Sequence, residues 1–349
     1  MNPRTTGVAT EPGYTIVENA SLEGRNTFRV PARAEILIDV RKPEALAEVL
    51  AIPYVRNNPL LILGGGSNML FTRDWPGVVL SIAARGVRIL EDRGDAALVR
   101  VEAGEPWNEL VSWSLGHNFI GLENLVLIPG SVGAAPIQNI GAYGREVREF
   151  IATVEAWDRS NGAIVRLDNT SCQFSYRDSR FKHEPDRYVI TAVDFLLPRT
   201  GELRTDYAGV GAELAAMNVE ANARTVAEAV ARLRTRKLPN PAVIGNAGSF
   251  FKNPVVPVAT AEAIKREFAA LPFWQAGETT AKLSAAWLVE SCGLKGFREG
   301  DAGVSSQHAL VLVNHGHATG AQIWALAEHV RNTVANRFDV ELEPEPSVI

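Results

Sequence analysis

Three consecutive glycines directly after an apolar strand restrict this chain more than any other feature: Leu60-Leu61-Ile62-Leu63 runs into Gly64-Gly65-Gly66-Ser67-Asn68. Adjacent glycines reach positive φ and allow close approach of other groups to the backbone, so the amides of such a turn can form a nest for a diphosphate. The segment lacks the Lys-Ser/Thr pair of an ATP-type phosphate loop. It also lacks the G-x-G-x-x-G spacing and the following helix of a Rossmann turn. The segment is therefore neither of those two turns. Taken alone, the segment fits a tight structural turn equally well.

The flanking residues read as strands. Val78-Val79-Leu80-Ser81-Ile82 is a second apolar run, and Val87 to Leu90 and Ala97 to Val101 follow with charged turns between them. Trp107 to Leu115 has helical spacing. From Gly121 to Gly144, five glycines (positions 121, 130, 133, 141 and 144) predict an ordered loop rather than a helix. Phe150 to Trp157 and Ala163 to Leu167 flank Ser160-Asn161-Gly162, a hairpin signal, and Tyr188 to Leu197 is a strand stopped by Pro198.

Beyond Pro198 the period changes. Thr225 to Glu228 reads as a capping box opening a helix with Val226, Ala229, Val230 and Leu233 on one face. Helices are expected over Thr260 to Leu271 and Lys282 to Cys292. A second capping box, Thr319 to Gln322, opens a helix striped by Ile323, Leu326, Ala327, Val330 and Val334, which feeds a strand at Val340 to Leu342. The first half is thus strand-rich and the second α+β, divided near Arg236 to Pro241.

A length of 349 residues exceeds one ordinary core and predicts two or three domains. The net charge of -5 gives no whole-chain attraction to nucleic acid or an anionic membrane. No stretch approaches a membrane helix, and Arg4, Glu11 and Glu18 argue against a secretory signal. Cys172 and Cys292 are the only cysteines, which excludes a disulfide framework and fits a reducing cytoplasm. His315-Gly316-His317 reads as a solvated turn, and no metal is expected.

Three segments carry chemistry. Small residues from Gly121 to Pro136 leave room for a large flat ligand against main chain, and Gln138 to Gly144 adds amide side chains suited to a polar ring edge. With the triple glycine they favour a dinucleotide-type cofactor. Asn246 to Pro254 sets Ser249 among small, polar and cationic neighbours, outside any G-x-S-x-G elbow and with no histidine nearby in sequence. Such a serine either shapes a turn or hands its proton to a very basic centre. Ser175 to Lys182 concentrates Arg177, Arg180 and Lys182, a set equally suited to an anion or to surface ion pairs with Asp178 and Glu184.

Leu63 to Asn68, Gly121 to Gly144, Ser175 to Lys182, Gly245 to Pro254, Lys282 to Gly296 and Leu342 to Glu345 span nearly the whole chain. In this order they resemble the UDP-N-acetylenolpyruvoylglucosamine reductases, the MurB flavoenzymes, in the subtype whose tyrosine loop covers the substrate. The resemblance implies an α+β fold: an FAD-binding fold of the p-cresol methylhydroxylase type, made of two α+β subdomains, and a C-terminal α+β substrate-binding domain. It implies residues 1–85 with 336–349 as the first FAD-binding subdomain, 86–236 as the second and 237–335 as the substrate domain. FAD is the implied cofactor and NADPH the implied hydride donor. The implied reaction converts UDP-N-acetylglucosamine enolpyruvate to UDP-N-acetylmuramate in peptidoglycan precursor synthesis, by a cytoplasmic monomer with no nucleic-acid or membrane partner.

By the same resemblance Ser249 is the proton donor, Arg177 the catalytic arginine and Glu345 the catalytic glutamate, with Glu343 as the alternative carboxylate. Cofactor contacts are implied for Gly64, Gly65, Gly66, Ser67, Asn68, Pro129, Gly130, Ser131, Gly133, Ala134, Ile140 and Gly141. Substrate contacts are implied for Tyr207, Lys237, Asn253 and Lys282. A flavin oxidase of the same fold and a nucleotide-binding module without flavin are the other readings.

Overall fold

The middle of the first sheet is buried on both faces, and its residue alternation decides where the rest of the chain packs. In the computed structural model, which describes residues 13–207 and 209–349, its strands run in the order Tyr14–Ser21, Arg33–Val40, Trp75–Ile82, Leu60–Ile62. The first pair is antiparallel and the other two pairs are parallel. Val78, Leu80 and Ile82 join a core with Val99, Val101 and Trp107, whereas Val79 and Leu37 face a second core with Leu288, Leu326 and Val330. Side chains on a strand alternate faces, so a strand covered on both sides needs the unbroken apolar run read at Val78 to Ile82.

The second sheet is antiparallel, in the order Ala163–Asp168, Ile151–Asp158, Tyr188–Pro198, Ala96–Glu102, Val87–Asp92. The expected hairpin joins the first two strands, with Gly162 at φ 68°. Pro198 pairs with Ala96 at the strand's last position. The Trp107–Gly116 helix seats Trp107 in the core, where its indole donates to the carbonyl of Leu125 at 2.9 Å. A third region holds two small sheets, Gly245–Ser249 with Val311–Asn314, Ala302–Val304 and Arg298–Glu299, and Val255–Pro257 with Thr280–Leu283 and Phe273–Gln275. The Gly320–Phe338 helix lies over it, capped by Thr319 and Gln322 as read, with all five stripe residues buried.

Four expectations change. The Ala223–Lys237 helix begins earlier than its Thr225 signal, because Asn222 is the cap and Thr225 is the reciprocal partner three residues on. The Thr260 to Leu271 helix is Val258–Glu267, entered through Pro257, and Leu271 lies beyond its end. Lys282 is not helical: Ser284 caps an Ala285–Ser291 helix, and Ala281 and Leu283 are buried in a strand of period two. Val340 to Leu342 forms no strand, although Val340 and Leu342 are buried. Pairing starts just afterwards, where Pro344 lacks an N–H and limits it to a bridge with Phe251.

The chain then returns to its first part, where Ser347–Val348 runs parallel to Met69–Leu70 in a two-stranded sheet of its own. Residues 1–12, which include Arg4 and Glu11 of the expectation of no secretory signal, lie outside the described residues. Among the described residues no helix is long and apolar enough to cross a membrane. The His315-Gly316-His317 turn is held by Asp301, whose carbonyl accepts from His315 N and whose carboxylate accepts from His317 N, both at 2.8 Å.

Candidate active site

The two glycine-rich loops stack main chain on main chain. A Cβ on Gly65 would lie 2.8 Å from Gly130 Cα, and one on Gly64 would lie 2.9 Å from Ser131 Oγ. Gly66 sits at φ 60°, where a Cβ would meet the Arg25 carbonyl oxygen at 1.9 Å. Ser67 Oγ donates to Pro129 O at 3.1 Å across the junction. None of the main-chain N–H groups from Gly64 to Asn68, nor those of Gly130 and Ser131, has an acceptor among the described residues. Unspent amides beside a cleft make a nest for an anionic diphosphate, and these loops fit one.

The cleft they open into has a volume of about 1530 Å³. That exceeds the ~300–1,000 Å³ of a single small-ligand pocket, so a dinucleotide and a substrate can share it. All the expected cofactor residues line it except Gly130, which lies behind Gly65. Its apolar wall includes Ile62, Trp107, Ile128, Ile140 and Ile190. Gly65→Val should therefore force the loops apart at a cost of ~1–3 kcal/mol, the usual penalty for overpacking. The expected product is a folded protein that retains less than about a tenth of its flavin, read from its absorbance against protein. Full flavin content would show that the stacked loops do not hold the cofactor.

Ser249 is aimed by a bulge. The Gly245–Ser249 strand pairs Asn246 with Val313 but Ser249 with Val311, so two residues oppose one, and Gly248 takes φ 70°. Asn246 Oδ1 accepts from Gly248 N at 3.0 Å and fixes the kink. Fully buried Phe250 and Phe251 anchor the strand beyond it. The half-buried Ser249 lines the cleft, and its hydroxyl has no hydrogen-bond partner among the described residues.

Arg177 projects from a tight turn in which Ser175 and Asp178 exchange main-chain hydrogen bonds of 3.0 and 3.2 Å. Its own φ of 56° is left-handed, a strained conformation for a non-glycine residue and one found at functional turns. Arg177 Nε donates to Glu345 Oε1 at 3.1 Å and Nη2 to Gly141 O at 2.7 Å. A guanidinium carries five N–H donors, so three remain for a ligand. Gly141 permits this approach, since a Cβ there would stand 3.0 Å from Nη1.

Glu345 is ordered by two neighbours: its N–H donates to Phe250 O at 2.8 Å, and its carbonyl accepts from Asn68 Nδ2 at 3.2 Å. Burial raises its pKa above the ordinary carboxylate value, opposed by Arg177, Lys182 and Lys252. Glu343, by contrast, is 70% exposed and pairs with Lys252. Lys282 sets its ammonium 3.7 Å from the Tyr176 ring centroid, and burial lowers its pKa.

Tyr207 lines the mouth and meets Tyr143 edge-on at 5.6 Å. Asn253 lines the cleft, with its Oδ1 accepting from Ala285 N at 3.0 Å at the start of a helix. Lys237 is not brought to the wall; it is exposed at the end of its helix. Arg234, one turn earlier, lines the cleft instead. Its guanidinium donates to Leu127 O at 3.3 Å, and burial lowers its pKa.

Sequence reasoning also missed buried Asn124, whose Nδ2 donates to Tyr143 O and Arg204 O, each at 2.9 Å. It ties the cofactor loop to the loop bearing Tyr207. Its only signal was an amide beside Glu123 between the apolar Leu122 and Leu125.

The FAD binding domain family matches residues 34–168, and the family described as UDP-N-acetylenolpyruvoylglucosamine reductase, C-terminal domain, matches residues 240–349. A UDP-N-acetylenolpyruvoylglucosamine reductase of Xanthomonas euvesicatoria pv. vesicatoria is 53% identical over 345 residues, covering 98% of each chain. The chain belongs to the UDP-N-acetylenolpyruvoylglucosamine reductase family. It is an FAD-dependent oxidoreductase. The reductase of Xanthomonas axonopodis pv. citri is likewise 53% identical over 98% of each chain. The crystal structure of the MurB reductase from Thermus caldophilus shares the fold, at 24% identity and a TM-score of 0.65 over 96% of this chain and 98% of that one. The fold is thus the expected α+β arrangement of an FAD-binding domain of the p-cresol methylhydroxylase type followed by the MurB C-terminal domain.

Proposed function

We propose that this reductase converts UDP-N-acetylglucosamine enolpyruvate to UDP-N-acetylmuramate with hydride from NADPH, in peptidoglycan precursor synthesis. The observation that carries the reading is the meeting of Ser249, Arg177 and Glu345, from three distant segments, on the wall of the glycine-loop cleft. FAD, when bound, supplies the two-electron relay between nicotinamide and substrate. Gly64 to Asn68 and Pro129 to Ala134, with Ile140 and Gly141, would hold it.

The chain's own residues then handle the proton and the charge. One enolpyruvyl carbon gains hydride, and its neighbour becomes carbanionic beside the carboxylate. Ser249 delivers its proton there. An alcohol is a weak acid, adequate only towards so basic a centre, and an unbonded hydroxyl is free to turn to it. Arg177 holds the carboxylate through its three remaining N–H groups and stabilises the charge that spreads into it. Glu345 fixes the guanidinium through Nε, and Lys282 adds positive charge on the same side.

Tyr207 and Asn253 are assigned to the nucleotide part, as in the subtype with a covering tyrosine. Arg234 on the wall, with Lys237 one turn further along the same helix, supports a cationic end for the diphosphate. The domain division at 85/86 and 236/237 is supported by sheets that each draw their long strands from one of these stretches, and the pairing of Ser347–Val348 with Met69–Leu70 supports joining the end of 336–349 to the first part, whereas the Gly320–Phe338 helix runs across 335/336. A cytoplasmic monomer without a nucleic-acid partner completes the reading, and the net charge of -5 supports the last of these.

Anaerobic NADPH should bleach the bound flavin, and adding the enolpyruvyl sugar nucleotide should restore its colour. Recovery only on admitting air would overturn the proposal in favour of an oxidase.

A further inference from the structure

Beside Ser249, Arg177 and Glu345 lies a second charged cluster, to which each of their three segments contributes one side chain. Lys182 comes from the Arg177 segment, Lys252 from the Ser249 segment and Glu343 from the Glu345 segment. Lys182 Nζ donates to the carbonyl of Arg177 at 3.3 Å, bracing the turn whose φ of 56° needs outside support. Lys252 N donates to Glu343 O at 3.0 Å, and its ammonium pairs with the Glu343 carboxylate. The Arg177–Glu345 ion pair, at 3.1 Å, joins these two links and closes a chain of contacts through all three segments.

A pair of ordinary surface cations would stand apart in solvent. Lys252 is instead paired with Glu343 and only 18% exposed in its side chain, and Lys182 is half-buried. Burial and the neighbouring Lys252 lower the Lys182 pKa, against Asp178 and Glu343, which raise it. Glu343 raises that of Lys252 against burial.

We propose that Lys182, Lys252 and Glu343 are positioning residues for substrate reduction, holding the Arg177 turn, the Ser249 strand and the Glu345 segment in one register. The proposal rests on the roles assigned above to Ser249, Arg177 and Glu345. Displacement of about 1 Å at a site of this kind costs ~100-fold in rate, so the effect falls on chemistry more than on folding.

The test uses flavin-loaded Lys182→Met, Lys252→Met and the double variant, each half-reaction followed by stopped flow and substrate affinity measured by titrating the oxidised flavin's spectrum. Reoxidation by the enolpyruvyl sugar nucleotide should slow ~30- to 100-fold in each single variant, while NADPH reduction and substrate Kd shift less than ~3-fold. Because the residues act as a unit, the double variant should be no slower than the slower single. Lys182→Arg keeps a donor and should recover most of the loss. If a lysine variant does not fold, Glu343→Gln at the exposed end should show the same pattern at ~5-fold.

Reoxidation within ~3-fold of the parent in both single variants, or a double loss equal to their product, overturns the cluster. Ser249→Ala, run alongside, separates the failures. With it slow and the lysine variants fast, only the cluster falls; with it fast, the site roles fall and the cluster with them.

Discussion

Ser249→Ala should still be reduced by NADPH at near the parent rate, yet its reoxidation by the enolpyruvyl sugar nucleotide should fall by ~10²–10⁴-fold, the range removed with a general acid. The asymmetry follows from what each half-reaction needs. Uptake of hydride from a nicotinamide asks nothing of an alcohol, whereas substrate reduction ends in a carbanion that must find a proton. The fold should survive, because the hydroxyl has no partner among the described residues to orphan and the side chain is half-buried in a cleft wall. A stability change within ~0.5 kcal/mol is expected by denaturant titration. Rapid mixing of the reduced variant with substrate decides the matter: an unchanged reoxidation trace would remove Ser249 from the proton's path.

The residues around that serine also show what a sequence can disclose. The second sheet was legible, since its strands pack one face on a core, and Ser160-Asn161-Gly162 marks its hairpin. The first sheet was half legible. Tyr14–Ser21 lies at an edge with Ile16 and Val17 both about half exposed, so it never alternates and was not read. Arg33–Val40 is covered on both faces and shows an apolar run at Ile36 to Ile38 that gives no period. Thr225 misled because the reciprocal capping box here runs from Asn222 to Thr225. At Lys282, tertiary pairing with Val255 and Trp274 made a strand where the helix begins only after Ser284.

The site divides in the same way. Glycine loops announce themselves locally, because positive φ and close approach leave few alternatives to glycine. That the two loops would lie against each other is a tertiary fact, set by the sheets beneath them. Residues 177, 249 and 345 are held together by single contacts across 168 positions of chain, such as Arg177 to Glu345, and no spacing in the sequence encodes that meeting. The family resemblance supplied it. Arg234 went unnoticed because a helix C-terminus full of cations reads as a favourable dipole interaction, and only packing tells the wall residue from the exposed ones.

Arg177→Met should be the most damaging change after loss of the serine, for two reasons that separate experimentally. The first is catalytic: losing the donors that stabilise the developing charge should lower the rate of substrate reduction by ~10²–10³-fold, as removal of one oxyanion donor does. The second is electrostatic. Burial already raises the Glu345 pKa, and Arg177 opposes it, so removing the guanidinium lifts that pKa further. A carboxyl whose folded pKa exceeds its unfolded one contributes stability below the unfolded value, and this is lost as pH rises through the folded value. The stability lost by Arg177→Met should therefore be greater near pH 8 than near pH 5, when compared with the parent by thermal melting. Adding Glu345→Gln should remove most of that pH dependence and leave the catalytic defect in place. A loss of stability equal at both pH values would mean that Glu345 does not depend on Arg177 for its charge.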